Sequence, residues 1–401
     1  MCQPKESSFI LIAILLLLTS CSGPKPYAKI SVSETNGLAR DLEYIAIEIP
    51  LSVELQPSQM LVATDTEKES SVPVQILDTI SEDGNSTLRI MFPVKVEANK
   101  TKTFELVAVE KMRDSGLNGI QISDNATCVE NQIYKATFSI EDDVRGGQVS
   151  GIILKNFDDR LLKRGHIAMH WAPNFSKSEE EAYFNMEDLP QNSEHHIKKG
   201  LYQIEKSRSG RTNEVPEIFV EGKYNFFSDL PYFIFESTMK MEEDVSLNLL
   251  RNDEMTMDSL FTHVVYQQND GTVSRLKLYD AELDSLENKP IPDNSGFVGF
   301  YNTIYGYGLA SIRMEYDNTN NDGNQSALFN PHTKISKSTG NGRYWNRILI
   351  DSVTKVPQGN KYLEKNAYLI FQVGQEIPEE EILYYAERLA SPLTVTVNLA
   401  D

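Results

Sequence analysis

The chain has 401 residues, 40% of them hydrophobic and 24% charged, with a formal net charge of −20. This composition describes a globular protein of two or three domains. No basic stripe offsets the charge, so nucleic acid is excluded as a partner, and an anionic polymer has only a local basic spot to bind to.

Residues 1–21 read as a leader. Lys5 supplies a short positive region, weakened by Glu6, and Phe9 to Leu18 is an apolar run too short to span a bilayer. The run ends at Leu18-Thr19-Ser20-Cys21. This stretch resembles a bacterial lipobox, which implies that Cys21 is diacylated and becomes the mature N-terminus. Several acyl chains hold a protein stably on a membrane where one does not. The chain is therefore expected at the cell envelope, tethered through residues 22–29. The tether begins without the acidic run that accompanies surface export in Bacteroidetes-like lipoproteins, which favours the periplasmic face. With Cys2 removed and Cys21 lipidated, Cys128 stands alone, so no intrachain disulfide is expected. Cys128 reads as a buried apolar residue. Two cysteines make no structural zinc site, and neither metal nor cofactor is expected.

Residues 30–113 carry dense strand signals. Tyr44 to Ile49 alternates, with Ile45, Ile47 and Ile49 on one side. Met60 to Ala63, Val72 to Leu77, Thr87 to Val96 and Thr103 to Val109 follow, separated by turns such as Asp83-Gly84-Asn85. This is the pattern of a small Ig-like β-sandwich. It resembles the accessory sandwiches in front of many bacterial carbohydrate-active enzymes, and it shows no catalytic constellation.

A polar linker, Asp114 to Asp124, leads to a second all-β region over residues 125–401. Its opening strand, Glu130 to Phe138, a glycine turn, and Gln148 to Leu154 resemble the first hairpin of galactose-mutarotase-like supersandwich domains. The resemblance implies a large antiparallel domain; it does not fix an activity. One short helix is expected near the C-terminus, where Pro378 precedes Glu379, Glu380 and Glu381 and Arg388 closes the run from Ile382 to Leu389. Leu393 to Val397 is a final strand. The expected class is all-β.

Four stretches carry candidate chemistry. Leu247 to Tyr266 opens as a strand and then gathers Arg251, Asn252, Asp253, Glu254 and Asp258 before His263. Titratable groups gripped by apolar flanks mark either a cleft or a polar hairpin loop. Arg164 to Pro173 contains His170 and Trp171, followed by an acidic stretch from Asn174 to Glu194 that reads as a long loop. Phe297 to Met314 interleaves glycines with Tyr301, Tyr305 and Tyr307. Gly340 to Ile350 groups Arg343, Tyr344, Trp345 and Arg347, the densest cationic-aromatic cluster in the chain. Trp171 and Trp345 can stack on sugar faces; Arg343 and Arg347 can grip a carboxylate or sulfate in bidentate fashion. Each of these residues also has an ordinary reading as sheet core or solvated surface.

No P-loop, GxGxxG, GxSxG or HExxH is present, which removes the nucleotide, dinucleotide, serine-hydrolase and zincin readings. Lipobox, paired β-modules and aromatic-cationic clusters together resemble a Bacteroidetes-type glycan-utilisation protein. The expected activity is a polysaccharide lyase that cleaves a uronate-containing polysaccharide by β-elimination. Arg343 or Arg347 with Asn252 would neutralise the carboxylate, His263 or His170 would be the base, and Tyr344 or Tyr305 the acid. Glu254 is expected beside Arg251, Arg343, Arg347 or an imidazolium. The alternative is a non-catalytic glycan-binding or structural lipoprotein that uses the same aromatic residues without chemistry.

Overall fold

A computed structural model describes residues 25–51, 56–82, 85–110, 119–139, 147–163, 169–180, 182–190, 193–257, 260–280, 290–337 and 342–399. The leader and Cys21, the first part of the tether, the turn at Asp83-Gly84 and much of the 114–124 linker lie outside the described residues.

The small sandwich forms as the alternation requires. Ile45, Ile47 and Ile49 point inward from Arg40–Leu51, opposite Ile30 and Val32 of Ala28–Ser33 and Leu106 of Thr101–Glu110. A fully buried aliphatic side chain contributes about 1.5–3 kcal/mol, so this pattern alone commits the strand to one face. A three-stranded sheet of Arg40–Leu51, Asn85–Val96 and Gln75–Glu82 covers a five-stranded one. The outer strand of the five is the chain's last, Thr394–Leu399, which pairs antiparallel with Ala28–Ser33. The sequence places this strand after the large domain, yet it completes the small one.

The large region is antiparallel throughout its described strands. A nine-stranded sheet runs Glu194–Lys199, Gln203–Gly210, Ile218–Phe227, Tyr232–Met241, Lys361–Gln372, Tyr307–Asp317, Phe297–Asn302, His263–Gln267 and Val273–Lys277. Its inner face packs against a six-stranded sheet centred on Leu249–Met257 and Arg343–Ile350. The hairpin of Tyr134–Phe138 and Val149–Leu154 closes one flank of the same core through Ala136, Ile152 and Leu154. The expected single helix is Glu380–Ala390. It lies on the outer face of the nine-stranded sheet and joins the two modules: Arg388 donates to the Leu42 carbonyl and pairs with Glu43, while Arg40 donates to the Arg388 carbonyl.

Two local readings are corrected. Asn174 to Glu194 is not one long loop: Asn174–Ser176 is a fully buried strand paired with Leu249–Leu250–Arg251, and Met186–Asp188 is a capped helical turn. The polar knot at Arg251 to Glu254 is not a loop either; it lies within the strand Leu249–Met257.

Candidate functional site

The Leu249–Met257 strand is organised by a bulge. Asp253 adopts φ +48°, and the pairing with Arg343–Ile350 slips between Asn252 and Met255. A left-handed residue at a bulge is tolerated best by Gly, Asn or Asp. The slip turns consecutive side chains, Asn252 and Asp253, toward the sheet interior. Glu254 then alternates away from the interior.

Asp253 is the centre of a buried network. One carboxylate oxygen accepts from the Trp345 indole N–H (3.1 Å) and the Tyr368 hydroxyl (3.3 Å). The other accepts from the Tyr316 hydroxyl (3.1 Å), with the Arg313 guanidinium 3.5 Å away. His170 lies between Tyr224 (2.6 Å) and Tyr368 (3.1 Å). Because Tyr368 gives its proton to Asp253, its oxygen is left to accept from His170 Nε2–H, and Tyr224 in turn donates to Nδ1. This order, assigned from the partners, needs a neutral imidazole. Burial, which lowers the His170 pKa to about 3, agrees with it. Glu364 accepts from Ser237 (2.9 Å), from the Asp253 backbone N–H (2.7 Å) and from Asn366 (2.9 Å). Burial first, and then the Asp253 charge, raise its pKa to about 8. The same two causes hold the Tyr316 and Tyr368 hydroxyls well above the usual phenol range.

The network is closed. Asp253, His170, Glu364 and Trp345 are all 0% exposed. It ties the nine-stranded sheet, through Tyr224, Glu364 and Tyr368, to the six-stranded one, through Asp253 and Trp345. Its chemistry is that of a scaffold: a buried polar network of this kind fixes one register between two layers.

The structure sorts the residues expected from sequence onto separate faces. The three stretches around His170, Glu254 and Trp345 do meet. His170 bridges to Met255, and Trp345 pairs with Met255 from the other side. Strand alternation then divides them. Trp345 and His170 face inward, so neither a stacking indole nor a catalytic imidazole is presented to a glycan there. Arg347 is 2% exposed and spent on Asp293 (2.6 and 2.9 Å) and Asn252 (3.3 Å). Asn252 is therefore buried as well. Glu254 has its expected cation, Arg251 at 3.4 Å, and accepts from Asn174 at 2.9 Å, but the carboxylate is buried. Trp171 and Tyr344 are half-buried near this outer side. Arg343 donates to the Leu278 and Gly342 carbonyls and lies over Tyr279.

His263 is elsewhere. It follows Val265 onto the outer face of the nine-stranded sheet, stacks on Tyr301 at 5.1 Å and bonds Thr262 at 2.8 Å. Burial, then Lys277, lowers its pKa. It cannot act with Glu254, which belongs to the other sheet. Tyr305 is 53% exposed on the turn between Phe297–Asn302 and Tyr307–Asp317, with Arg160 over its ring at 3.9 Å. The lyase set is thus not assembled at one point. Among the described residues, no group of three or more His, Cys, Asp or Glu side chains is placed to hold a metal.

A concave site exists where sequence signalled none. Between the three-stranded sheet of the small sandwich and the outer face of the nine-stranded sheet lies a groove of about 430 Å³, within the roughly 300–1,000 Å³ of small-ligand sites, which favour joints between modules. The floor is a cross-strand row in which Lys223 opposes Glu236 and Glu236 opposes Lys365. Tyr44, Ile76, Arg89 and Met91 form the wall, and Leu389 to Val395 the end. Polar contacts beside the groove tie its two sides together. Gln75 accepts from the Tyr202 and Gln203 amides (2.7 and 2.9 Å), Tyr44 bonds Ser228 and Asp229, and Tyr44 stacks on Phe227. The sequence signal for this site was only alternation: each strand contributes one charge, and the row exists only once the strands are paired.

No family model matches the sequence, and no curated protein is significantly similar to it. Solved structures do share its fold. An α-mannosidase from Enterococcus faecalis V583 superposes with a TM-score of 0.55 over 92% of this chain at 12% identity. A glycosyl hydrolase family 38 protein from Enterococcus faecalis does so with a TM-score of 0.53 over 92% at 11% identity. The chain spans 46% and 47% of those proteins, less than half of each. At such identities the likeness is one of fold, a β-architecture found in carbohydrate-active proteins.

Proposed function

We propose that this chain is a lipid-anchored glycan-binding protein of the bacterial envelope, facing the periplasm, which holds an oligosaccharide in the groove between its two modules. The groove carries this reading: a preformed concavity at a module joint, in a fold shared with an α-mannosidase. The name of that neighbour supplies the saccharide; the lipobox-like Leu18-Thr19-Ser20-Cys21 supplies the anchor. Lyase chemistry is the finer alternative. It needs a neutralising cation, a base and an acid around one sugar, whereas Arg347, His170, His263 and Tyr305 occupy four separate environments.

The test is a glycan array probed with the mature chain, alongside incubation with uronate polysaccharides monitored for the ultraviolet absorbance of an unsaturated product. Saccharide binding without turnover is expected. Product formation would replace the binding reading with the lyase, and absence of binding to any saccharide would reject both. Cys21→Ala should move the protein from the membrane fraction to the soluble periplasm; unchanged membrane association would reject the anchor.

A further inference from the structure

The groove has an electrostatic character opposite to that of the chain. Among the described residues, six cationic side chains line it, Arg89, Lys198, Lys199, Lys223, Lys365 and Arg388, against four carboxylates, Glu43, Asp78, Glu205 and Glu236. The lining is therefore net positive in a protein of formal charge −20. Some of these cations are committed. Arg388 is held by Glu43, and Lys198 lies near Asp78 (3.5 Å) and Glu205 (3.9 Å). The others are not. On the floor, Lys223 and Lys365 share one carboxylate, Glu236, at 3.8 and 3.9 Å, with all three side chains about one-third exposed. Such long, solvated pairs are weak and readily exchanged. Arg89 and Lys199 are exposed; Arg89 stands opposite Glu48 and Asp78 on the neighbouring strands, and neither cation makes a close ion pair with a described residue.

We propose that the groove selects acidic saccharides, its floor lysines Lys223 and Lys365 taking a carboxylate or sulfate of the sugar with Arg89 and Lys199 steering from the rim. This rests on the glycan-binding reading above and narrows its ligand class. Glu236 has a defined part in it. The carboxylate lies between both ammonium groups while the groove is free and offsets one of their two charges, so a bound anion competes with it. Affinity should fall as salt is added, since the Debye length is only about 10 Å at 0.1 M.

The experiment is titration calorimetry of the full mature chain with matched oligosaccharides bearing no charge, uronate carboxylates or sulfates, and with inorganic sulfate alone. Acidic oligosaccharides should bind at least about tenfold tighter than neutral ones, the loss expected when charge-assisted hydrogen bonds are removed. The double variant Lys223→Ala/Lys365→Ala should abolish that preference. Glu236→Gln should act in the opposite direction and tighten acidic ligands by about threefold to fivefold, the scale of an exposed ion pair. A folding defect cannot mimic a gain. Arg89→Ala/Lys199→Ala, on the exposed rim, should weaken binding mainly at low salt. The uronate and sulfate arms identify which acid is taken. Equal binding of neutral and acidic sugars, unaffected by these variants, would overturn the inference while leaving glycan binding intact. Inorganic sulfate binding as tightly as the sulfated oligosaccharide would also overturn it, by showing a bare anion site. Binding of no saccharide would remove the underlying reading with it.

Discussion

Glu364→Gln isolates one carboxyl group whose protonation the fold has altered. Glu364 is fully buried, and burial joined by the Asp253 charge moves its pKa from 4.5 up to about 8, against the pull of Ser237, the Asp253 amide and Arg347. Unfolded, the same group releases its proton near 4.5. Between these values the folded chain holds the extra proton, so stability falls as pH rises, by roughly 1.4 kcal/mol per pH unit. Over the window the loss is on the order of 5 kcal/mol and is complete once the pH passes about 8. Below 4.5 both states are protonated and nothing changes. Glutamine stays neutral at every pH but gives up one carboxylate oxygen that Glu364 uses as an acceptor, which costs about 1–2 kcal/mol. The variant should therefore be less stable than the parent at pH 5 and more stable at pH 8, with the curves crossing near pH 6. Urea unfolding followed by tryptophan emission measures this, since Trp345 belongs to the same network. Taking the difference between the two proteins cancels the titrating groups that do not interact with Glu364. Parallel stability profiles from pH 5 to 8.5 would refute the argument and mean that Glu364 is charged in the fold.

His170→Gln should flatten the acid limb of the same profile. Burial lowers the His170 pKa from 6.5 to about 3, so between those values the unfolded chain binds the extra proton and stability falls with falling pH, on the order of 5 kcal/mol in all. The two opposed slopes cancel between about pH 4.5 and 6.5, where wild-type stability should be greatest; a maximum above pH 8 would contradict both assignments. Trp345→Phe keeps an aromatic ring but removes the donor to Asp253, and should cost about 2–3 kcal/mol in urea unfolding. An unchanged midpoint would show that Asp253 is satisfied without it. Gly308→Ala would place a Cβ 2.1 Å from the Phe371 ring on the neighbouring strand. The crowding should lower stability by about 2 kcal/mol or more, and an unshifted melting temperature would show that the ring can move aside.

The strand pattern was legible because burial follows a period of two. Ile45, Ile47 and Ile49 were readable as one face and form one face. The helix start at Pro378 to Glu381 was readable because a proline at the entry and acidic residues in the first turn are local signals. What could not be read is pairing across long separations. Nothing in Leu393 to Val397 shows that it joins Ala28–Ser33, since many strands of similar polarity would fit that edge equally well. Asn174–Ser176 was hidden for a related reason. A three-residue strand carries too few side chains to show a period, and its burial comes entirely from its neighbours.

Proximity was easier to infer than facing. The stretches around His170, Asn252 and Trp345 were singled out for dense polar and aromatic chemistry, and they lie side by side. A cleft would need them on one solvent-facing surface. The bulge at Asp253 instead turns two consecutive polar residues inward, and a single residue of slip exchanges the faces of everything beyond it. Density of chemistry in sequence therefore marked a region that must satisfy itself in the core. The groove shows the converse. Lys223, Glu236 and Lys365 are ordinary surface residues on three strands, each flanked by core residues such as Tyr224, Phe235 and Glu364. Lys365 lies far along the chain from the other two, and only antiparallel pairing brings the three charges into a row. A recognition surface built this way leaves no motif, because the sheet, rather than any segment, places its charges together.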